Sequence, residues 1–352
     1  MRAIVPLHDG FHAGDPVGLD WTDLDRFAAP REIAVPEPGR GQVLVHVGRA
    51  AVNPSDLHYL AGEYGLPRRS ATAAGFEGMG RVVAAGPGLS GLYGRTLVGR
   101  RVAFGVGPTG TGAWADYAVT EAAAAIPVGD AIRDEDAAAL LVNPFTAWAM
   151  IDEVARRHAG RASKGRVPAL VLTAGASQLA RLALALARER ELPVICVVRR
   201  VEQRDELLGE GASEVLVTTA PDYAERRAEA FGRLRPLTLL DAVADEASSD
   251  LAAGLGRGGR WIVYGGLSAS RPPGLNPLDA IFRGKRQEGF WLSDWIRRAP
   301  LHRRIACVRS VRARFADGRW RTRVSATVLL DRAMEELLPA PREGGKVQIA
   351  VA

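Results

Sequence analysis

Between Pro168 and Gly266 short apolar runs alternate with amphipathic ones, and no other feature of this chain limits its fold so strongly. PALVLTAG, PVICVVRR, EVLVT, LTLLDAV and GRWIVYGG read as strands, whereas SQLARLALALARERE, EQRDELLGEG (ended by Gly211) and PDYAERRAEAFG read as helices. Strands that are apolar throughout and joined by helices pair in parallel and are covered on both faces. The expectation is therefore an α/β, doubly wound parallel sheet. Upstream, EDAAALLVNPFTAWAMIDEVARR reads as helical with a break at Pro144.

A different rhythm precedes it. From Gly41 to about Leu97 the pattern is short and alternating, with QVLVHVGRAAV and GMGRVVAAG as strands between Gly and Pro turns, which predicts an antiparallel, β-rich domain. With 352 residues the chain exceeds one ordinary hydrophobic core, so two domains are expected. The closing strand GGKVQIAVA needs a sheet to join, and the tail from about Gly289 is expected to return to the first domain. We place the domains at residues 1–125 with 290–352, and at 126–289.

Composition excludes several classes. The apolar fraction of 47% belongs to a folded protein rather than a disordered one. No apolar run reaches the roughly 20 residues that span a bilayer, and the amino terminus lacks a signal-peptide core, so no membrane association and a cytoplasmic location are expected. Only Cys196 and Cys307 occur, which rules out a disulfide framework or a cysteine-rich zinc site. The formal charge of +6 comes from interspersed residues. An arginine-rich solvated surface and a dedicated patch for an anion such as coenzyme A or an acidic carrier both fit, the densest stretch running from Arg297 to Arg323. No basic-aromatic module for nucleic acid is present.

The turn Thr173-Ala174-Gly175-Ala176-Ser177-Gln178-Leu179-Ala180 lies between the strand PALVL and the following helix. A dinucleotide fold places a Gly-x-Gly-x-x-Gly turn there, so that helix-start N–H groups face a diphosphate. Gly175 keeps the first glycine and Ala180 is small enough for helix-to-strand packing, but Ser177 stands at the middle position. Leu179, Leu182, Ala183 and Leu186 give the helix an apolar face, and an ordinary buried strand-to-helix turn is the competing reading. The next strand ends in Val198-Arg199-Arg200, where an NAD site carries an acidic residue. Guanidinium groups grip a phosphate through paired N–H donors, so NADPH is the expected cofactor.

With AAVNPSD, GFEGMGRVVAAG, VGRRVAF, GAWADYAV and GGKVQIAVA added, nearly the whole chain resembles the medium-chain dehydrogenase/reductase superfamily. That resemblance implies a GroES-like β-rich catalytic domain beside a Rossmann-type cofactor domain. Zinc-dependent members have Cys where Asn53 stands, His where Phe76 stands and a further Cys near Val142, and this chain has none of them. Glu77 remains, a single carboxylate without partners, and no metal is expected. Within the zinc-free branches NPSDLHYLAGEYG, VNPFTAWAMI, VVRR, VYGGLS and IFRGKRQEGFWLSDW resemble mitochondrial-type trans-2-enoyl thioester reductases. The resemblance puts the catalytic tyrosine at Tyr64, lining an interdomain cleft. It puts cofactor contacts at Asn143, Ser177, Gln178, Leu179, Arg199, Arg200, Tyr264, Gly265, Gly266, Phe290, Trp291, Leu292, Ser293 and Lys346, and it implies a homodimer formed through the edges of the cofactor domains. The segment from His8 to Glu32 departs from a minimal member and is expected at the substrate rim.

The implied chemistry is NADPH-dependent reduction of the activated C=C bond of a 2-enoyl thioester or a similar α,β-unsaturated carbonyl, carried by coenzyme A or an acyl carrier. Hydride reaches the β-carbon, charge grows on the carbonyl oxygen and a proton reaches the α-carbon. A phenol titrating near 10 is protonated at neutral pH, so Tyr64 can donate without a metal, and the Asn53 amide can orient substrate or cofactor. Tyr64 as a packing residue and Asn53 as a turn former before Pro54 stay open alongside. So do two other functions, an NADPH-dependent quinone or carbonyl reductase and a non-catalytic nucleotide-binding scaffold.

Overall fold

The structure, a computed structural model, describes residues 1–13, 24–88, 91–159, 167–268, 274–337 and 345–351. The chain divides into two compact units, Met1–Pro144 with Val308–Ala352, and Phe145–Cys307. These divisions fall later than boundaries drawn at 125/126 and 289/290 from sequence rhythm. The short helix that opens the helical stretch packs on strands of the first unit, and the Phe290 N–H bonds to the Val263 carbonyl of the second.

In the first unit β1 (Arg2–Pro6) pairs with β2 (Ala28–Glu32). A seven-stranded sheet is built from β3 (Gln42–Ala51), β4 (Glu77–Ala85), β5 (Arg101–Gly105), β6 (Tyr117–Glu121), β7 (Ala125–Pro127) and two strands from the far end of the chain. α1 (Pro54–Ala61), α2 (Leu92–Leu97) and α3 (Asp134–Ala138) lie between or after these strands. Alternation in β3 explains the sheet: Val43, Val45 and Val47 are buried on one face while His46 and Gly48 face solvent. The segment expected at the substrate rim falls partly on residues 14–23, outside the described residues, and its described ends pair β1 with β2 and bridge Gly10 to Arg68.

α4 (Val142–Ala159) begins in the first unit and continues into the second. The helical break expected at Pro144 lies instead at residues 139–141. Pro144 sits in the first turn of α4, where a missing N–H removes no intrahelical bond.

The second unit holds a parallel sheet of β8 (Leu170–Leu172), β9 (Val194–Val198), β10 (Glu214–Val217), β11 (Thr238–Asp241), β12 (Arg260–Val263) and β13 (Arg286–Gly289) in the order β10-β9-β8-β11-β12-β13. Between them run α5 (Gln178–Glu189), α6 (Gln203–Gly209), α7 (Tyr223–Leu234), α8 (Glu246–Gly254) and α9 (Pro277–Arg283), followed by α10 (Leu292–Arg298). Counted from β8 the order is 3-2-1-4-5-6, the Rossmann arrangement, in which ligands bind beyond the carboxyl ends of the strands. α11 (Leu301–Ala316) leads to β14 (Val324–Leu329) and β15 (Lys346–Ala350), and β15 joins parallel β14 to antiparallel β3. The tail thus returns to the first unit, as its closing strand requires. Among the described residues no helix is long and apolar enough to cross a membrane.

Five of the ten arginines from 297 to 323 pair with carboxylates: Arg297 and Arg298 with Asp294, Arg319 with Asp317, and across the sequence Arg303 with Asp152 and Arg321 with Asp136. That pattern suits a solvated, self-neutralised surface.

Asp241, at the carboxyl end of β11, organises the second unit. Its Oδ1 accepts the Thr173 hydroxyl at 2.6 Å, the Ser248 hydroxyl at 3.0 Å and the backbone N–H groups of Val243 and Ala244. Its Oδ2 accepts the Trp261 indole N–H at 2.8 Å. One fully buried side chain thereby ties together the end of β8, the start of α8 and β12. Replacing Asp241 with Ala strands these donors, and we expect chemical denaturation to report a loss of about 3 kcal/mol or more.

Candidate active site

The catalytic candidates of the first unit gather around the turn after β3. Asn53 is the extended residue before α1, and Pro54 supplies a backbone angle already set for the helix. The cap comes from Asp56, which accepts the Asn53 N–H at 2.6 Å and the Phe76 N–H at 2.8 Å. The Asn53 side-chain amide therefore has other partners. Its Nδ2 donates to Glu77 Oε1 at 3.0 Å, and its Oδ1 accepts from Lys346 Nζ. Glu77 Oε2 accepts the N–H groups of Leu141 at 3.0 Å and Val142 at 2.9 Å, fixing the start of α4.

Asn53, Asp56, Glu77 and Lys346 are all buried. Ionisable groups are tolerated there only when paired and hydrogen-bonded, a condition this network meets. Burial drives the Asp56 carboxyl up to about 7, with Glu77 adding to the push, although two backbone donors and Lys346 pull the other way. Burial also lowers the Lys346 ammonium from its ordinary value, and Glu77 and Asp56 oppose that shift. Glu77 is thus not the isolated carboxylate that its sequence position suggested. The Asn53-to-Asp56 spacing was a legible sign of a capped turn, but the partnership with Lys346 spans 293 positions and left no local signal.

Tyr64 follows Gly62, which ends α1 in the left-handed conformation. The tyrosine is half-buried and its ring lies 4.8 Å from that of Phe76, whose other neighbour is Tyr59 at 5.3 Å. Packing and catalytic readings of Tyr64 therefore coexist in one position. Phe76 joins it to the polar network, since the Phe76 N–H bonds to Asp56 and the next residue is Glu77. A cavity of ≈ 90 Å³ lies against the same aromatic, walled by Leu66, Pro67, Phe76, Val106 and Pro108, with Arg69 at its polar side. His58 is 3.8 Å from Glu63, an ion-pair contact that suits a satisfied histidine.

The remaining candidates divide between the units. Asn143 is the second residue of α4, and with Lys346 it belongs to the first unit. The others lie in the second, at the carboxyl ends of parallel strands. A Cβ on Gly175 would stand 2.9 Å from that of Cys196 and 3.3 Å from the Val197 nitrogen, so the turn after β8 runs directly over β9. Ser177 caps α5, its hydroxyl accepting the Ala180 N–H at 3.2 Å, and Gln178 and Leu179 form the first helical turn. Arg199 and Arg200 are exposed beyond β9. Tyr264, Gly265 and Gly266 follow β12, and a Cβ on Gly265 would meet the Ala242 carbonyl oxygen at 2.9 Å. The Tyr264 hydroxyl is buried, makes no hydrogen bond to the described residues and is pushed up by that burial. Phe290, Trp291, Leu292 and Ser293 run from β13 into α10. A capped helix start, close backbone approach, an orphaned hydroxyl and guanidinium groups beyond β9 fit a dinucleotide with a ribose phosphate.

The Asp56 carboxyl carries a sign that can be checked. Its folded value near 7 lies above the ordinary 3.8, so the folded chain binds more protons between those values and loses stability as pH rises through them. We expect unfolding free energy to fall from about pH 4 to pH 7 by up to about 1.4 kcal/mol per unit, and an Asp56→Asn variant to lose that slope. Denaturant titrations across this range check it.

Residues 39–130 match the alcohol dehydrogenase GroES-like domain. The human mitochondrial enoyl-[acyl-carrier-protein] reductase is 30% identical over 288 residues, covering 81% of this chain and 71% of that protein. A candidate NADPH:quinone reductase from Mesorhizobium loti, known from its crystal structure, is 41% identical with a TM-score of 0.89 over 100% of this chain and 98% of that one. The structure of an Etr1p, NADP and crotonyl-CoA complex shares the fold, with a TM-score of 0.76 at 18% identity over 99% of both chains. The chain belongs to the medium-chain dehydrogenase/reductase superfamily, as a zinc-free, NADPH-dependent reductase.

Proposed function

We propose that this protein is an NADPH-dependent reductase of the activated C=C bond of a 2-enoyl thioester or similar α,β-unsaturated carbonyl. The observation that carries the reading is Tyr64, a phenol packed on the ring of Phe76, whose backbone N–H bonds to Asp56 and which precedes Glu77 of the buried network in the chain. The likeness to enoyl-[acyl-carrier-protein] reductases supports it. Bound NADPH supplies the hydride, which reaches the β-carbon as a proton reaches the α-carbon. The first turn of α5 holds its diphosphate, and Arg199 with Arg200 holds its 2′-phosphate. Tyr64 donates through its hydroxyl to the substrate as charge develops on the thioester carbonyl. Asn53, held at both ends of its amide, acts as a positioning residue. The apolar cavity beside Phe76 suits the hydrocarbon part of a short substrate.

The likeness to an NADPH:quinone reductase favours a second reading, in which a quinone takes the hydride. Crotonyl-coenzyme A and 1,4-benzoquinone separate the two. We expect turnover of the thioester, with Tyr64→Phe lowering its kcat/KM about 100-fold. A quinone oxygen receives its proton from water, so dominant quinone turnover that Tyr64→Phe leaves within a few-fold favours the second reading.

A homodimer and a cytoplasmic compartment complete the proposal. Among the described residues β13 ends the six-stranded sheet, and α9, which precedes it in the chain, exposes Leu278, Ile281 and Phe282, at 61%, 68% and 66%. A strand edge without a partner among the described residues, together with an exposed apolar helix, suits a second copy of the chain. Light scattering is expected to give twice the chain mass for the native protein and a single chain mass for Ile281→Asp/Phe282→Asp.

A further inference from the structure

The first turn of a helix is an unfavourable place for a cation, because the helix dipole is positive there. Arg181 nevertheless lies at that end of α5, with its side chain only 11% exposed. Its Nε donates back to the Ala176 carbonyl at 3.1 Å, its Nη2 to Glu206 Oε2 at 2.7 Å, and its Nη1 to Glu210 Oε1. One guanidinium thus ties the turn after β8 to α6 and to the residue that ends it.

That turn has reason to be tied. Ala174 adopts a left-handed backbone, φ 46°, without being glycine, a strain of about 1 kcal/mol or more. Ser177 stands where a glycine is expected, and Ser177 N–H is already committed to the Ala174 carbonyl. The N–H groups in the first turn of an α-helix, which in α5 starts at Gln178, lie too early in the helix for an i−4 acceptor. Their direction follows that of the Ala176 and Ser177 peptides. Glu206 and Glu210 would moreover repel a diphosphate unless neutralised. Arg181 answers both needs, fixing the turn and cancelling the two carboxylates with a fork of N–H donors that no lysine provides.

We infer that Arg181 is a positioning residue for nucleotide binding, locking the glycine-poor turn after β8 by bridging Ala176 to Glu206 and Glu210. The inference rests on the NADPH reading above. It implies that Arg181 serves the diphosphate common to NADPH and NADH, whereas Arg199 and Arg200 serve the phosphate that distinguishes them.

The test compares Arg181→Met and Glu206→Gln/Glu210→Gln with the native chain. Fluorescence titration gives NADPH and NADH affinities, and hydrogen exchange follows the amides of residues 174–179 in the nucleotide-free protein. Arg181→Met is expected to weaken both nucleotides alike, by about tenfold or more, and to speed exchange in the turn. The double glutamine variant keeps the cation but removes the negative charge that anchors it, so it too speeds exchange. Unchanged affinity, unchanged exchange, or a loss confined to NADPH overturns the inference. If the native chain binds neither nucleotide, the NADPH reading fails by itself, and the exchange rates still decide whether Arg181 holds the turn.

Discussion

The first unit depends on one amide. Asn53 donates to Glu77 and accepts from Lys346, and through those bonds it connects the end of β3, the start of β4, the start of α4 and β15. Each partner is buried and none could stand there alone, because an unpaired charge or amide away from water is strongly destabilising. The network needs all of its members, and it fixes the turn from which α1, Tyr64 and Phe76 follow.

The second unit solves a related problem with different groups. Asp241, at the end of β11, gathers donors from the end of β8, the start of α8 and the Trp261 indole of β12, so three neighbouring strands share one buried acceptor. Gly175 and Gly265 bring backbone close to β9 and to Ala242 where side chains would intrude. The glycine-poor turn is thereby built without the full glycine set, by side-chain hydrogen bonds that hold backbone in place from outside. This accounts for the departure of Gln178-Leu179-Ala180 from the expected pattern without loss of the helix start.

What the sequence revealed follows from the range of each interaction. Strand alternation in β3, apolar runs in β8 and β9, and the amphipathic pattern of α5 are local consequences of burial, so they could be read directly. The doubly wound sheet followed from their succession. Pro144 misled because a proline inside an apolar pattern usually marks a break, whereas in a first helical turn it replaces nothing. β13 was missed because RQEG carries no apolar alternation: it is an edge strand held by backbone pairing with β12. The partners of Glu77, Lys346 and Arg181 lie far away in sequence, and only the fold brings them together. Tyr64 is proposed from the likeness of its surrounding segment, since a half-buried tyrosine has no pattern that separates packing from catalysis.

The central claim is that Lys346, Asn53 and Glu77 act as one network, and a double-mutant cycle tests it most directly. Unfolding free energies would be measured for Lys346→Met, Glu77→Gln and the two combined. Removing one buried partner should cost about 3–5 kcal/mol, while the combined variant should lose clearly less than the sum of the single losses, with a coupling of about 1 kcal/mol or more, as residues sharing partners show. Losses that simply add would contradict the account, for they would mean that the ammonium and the carboxyl group stabilise the fold independently.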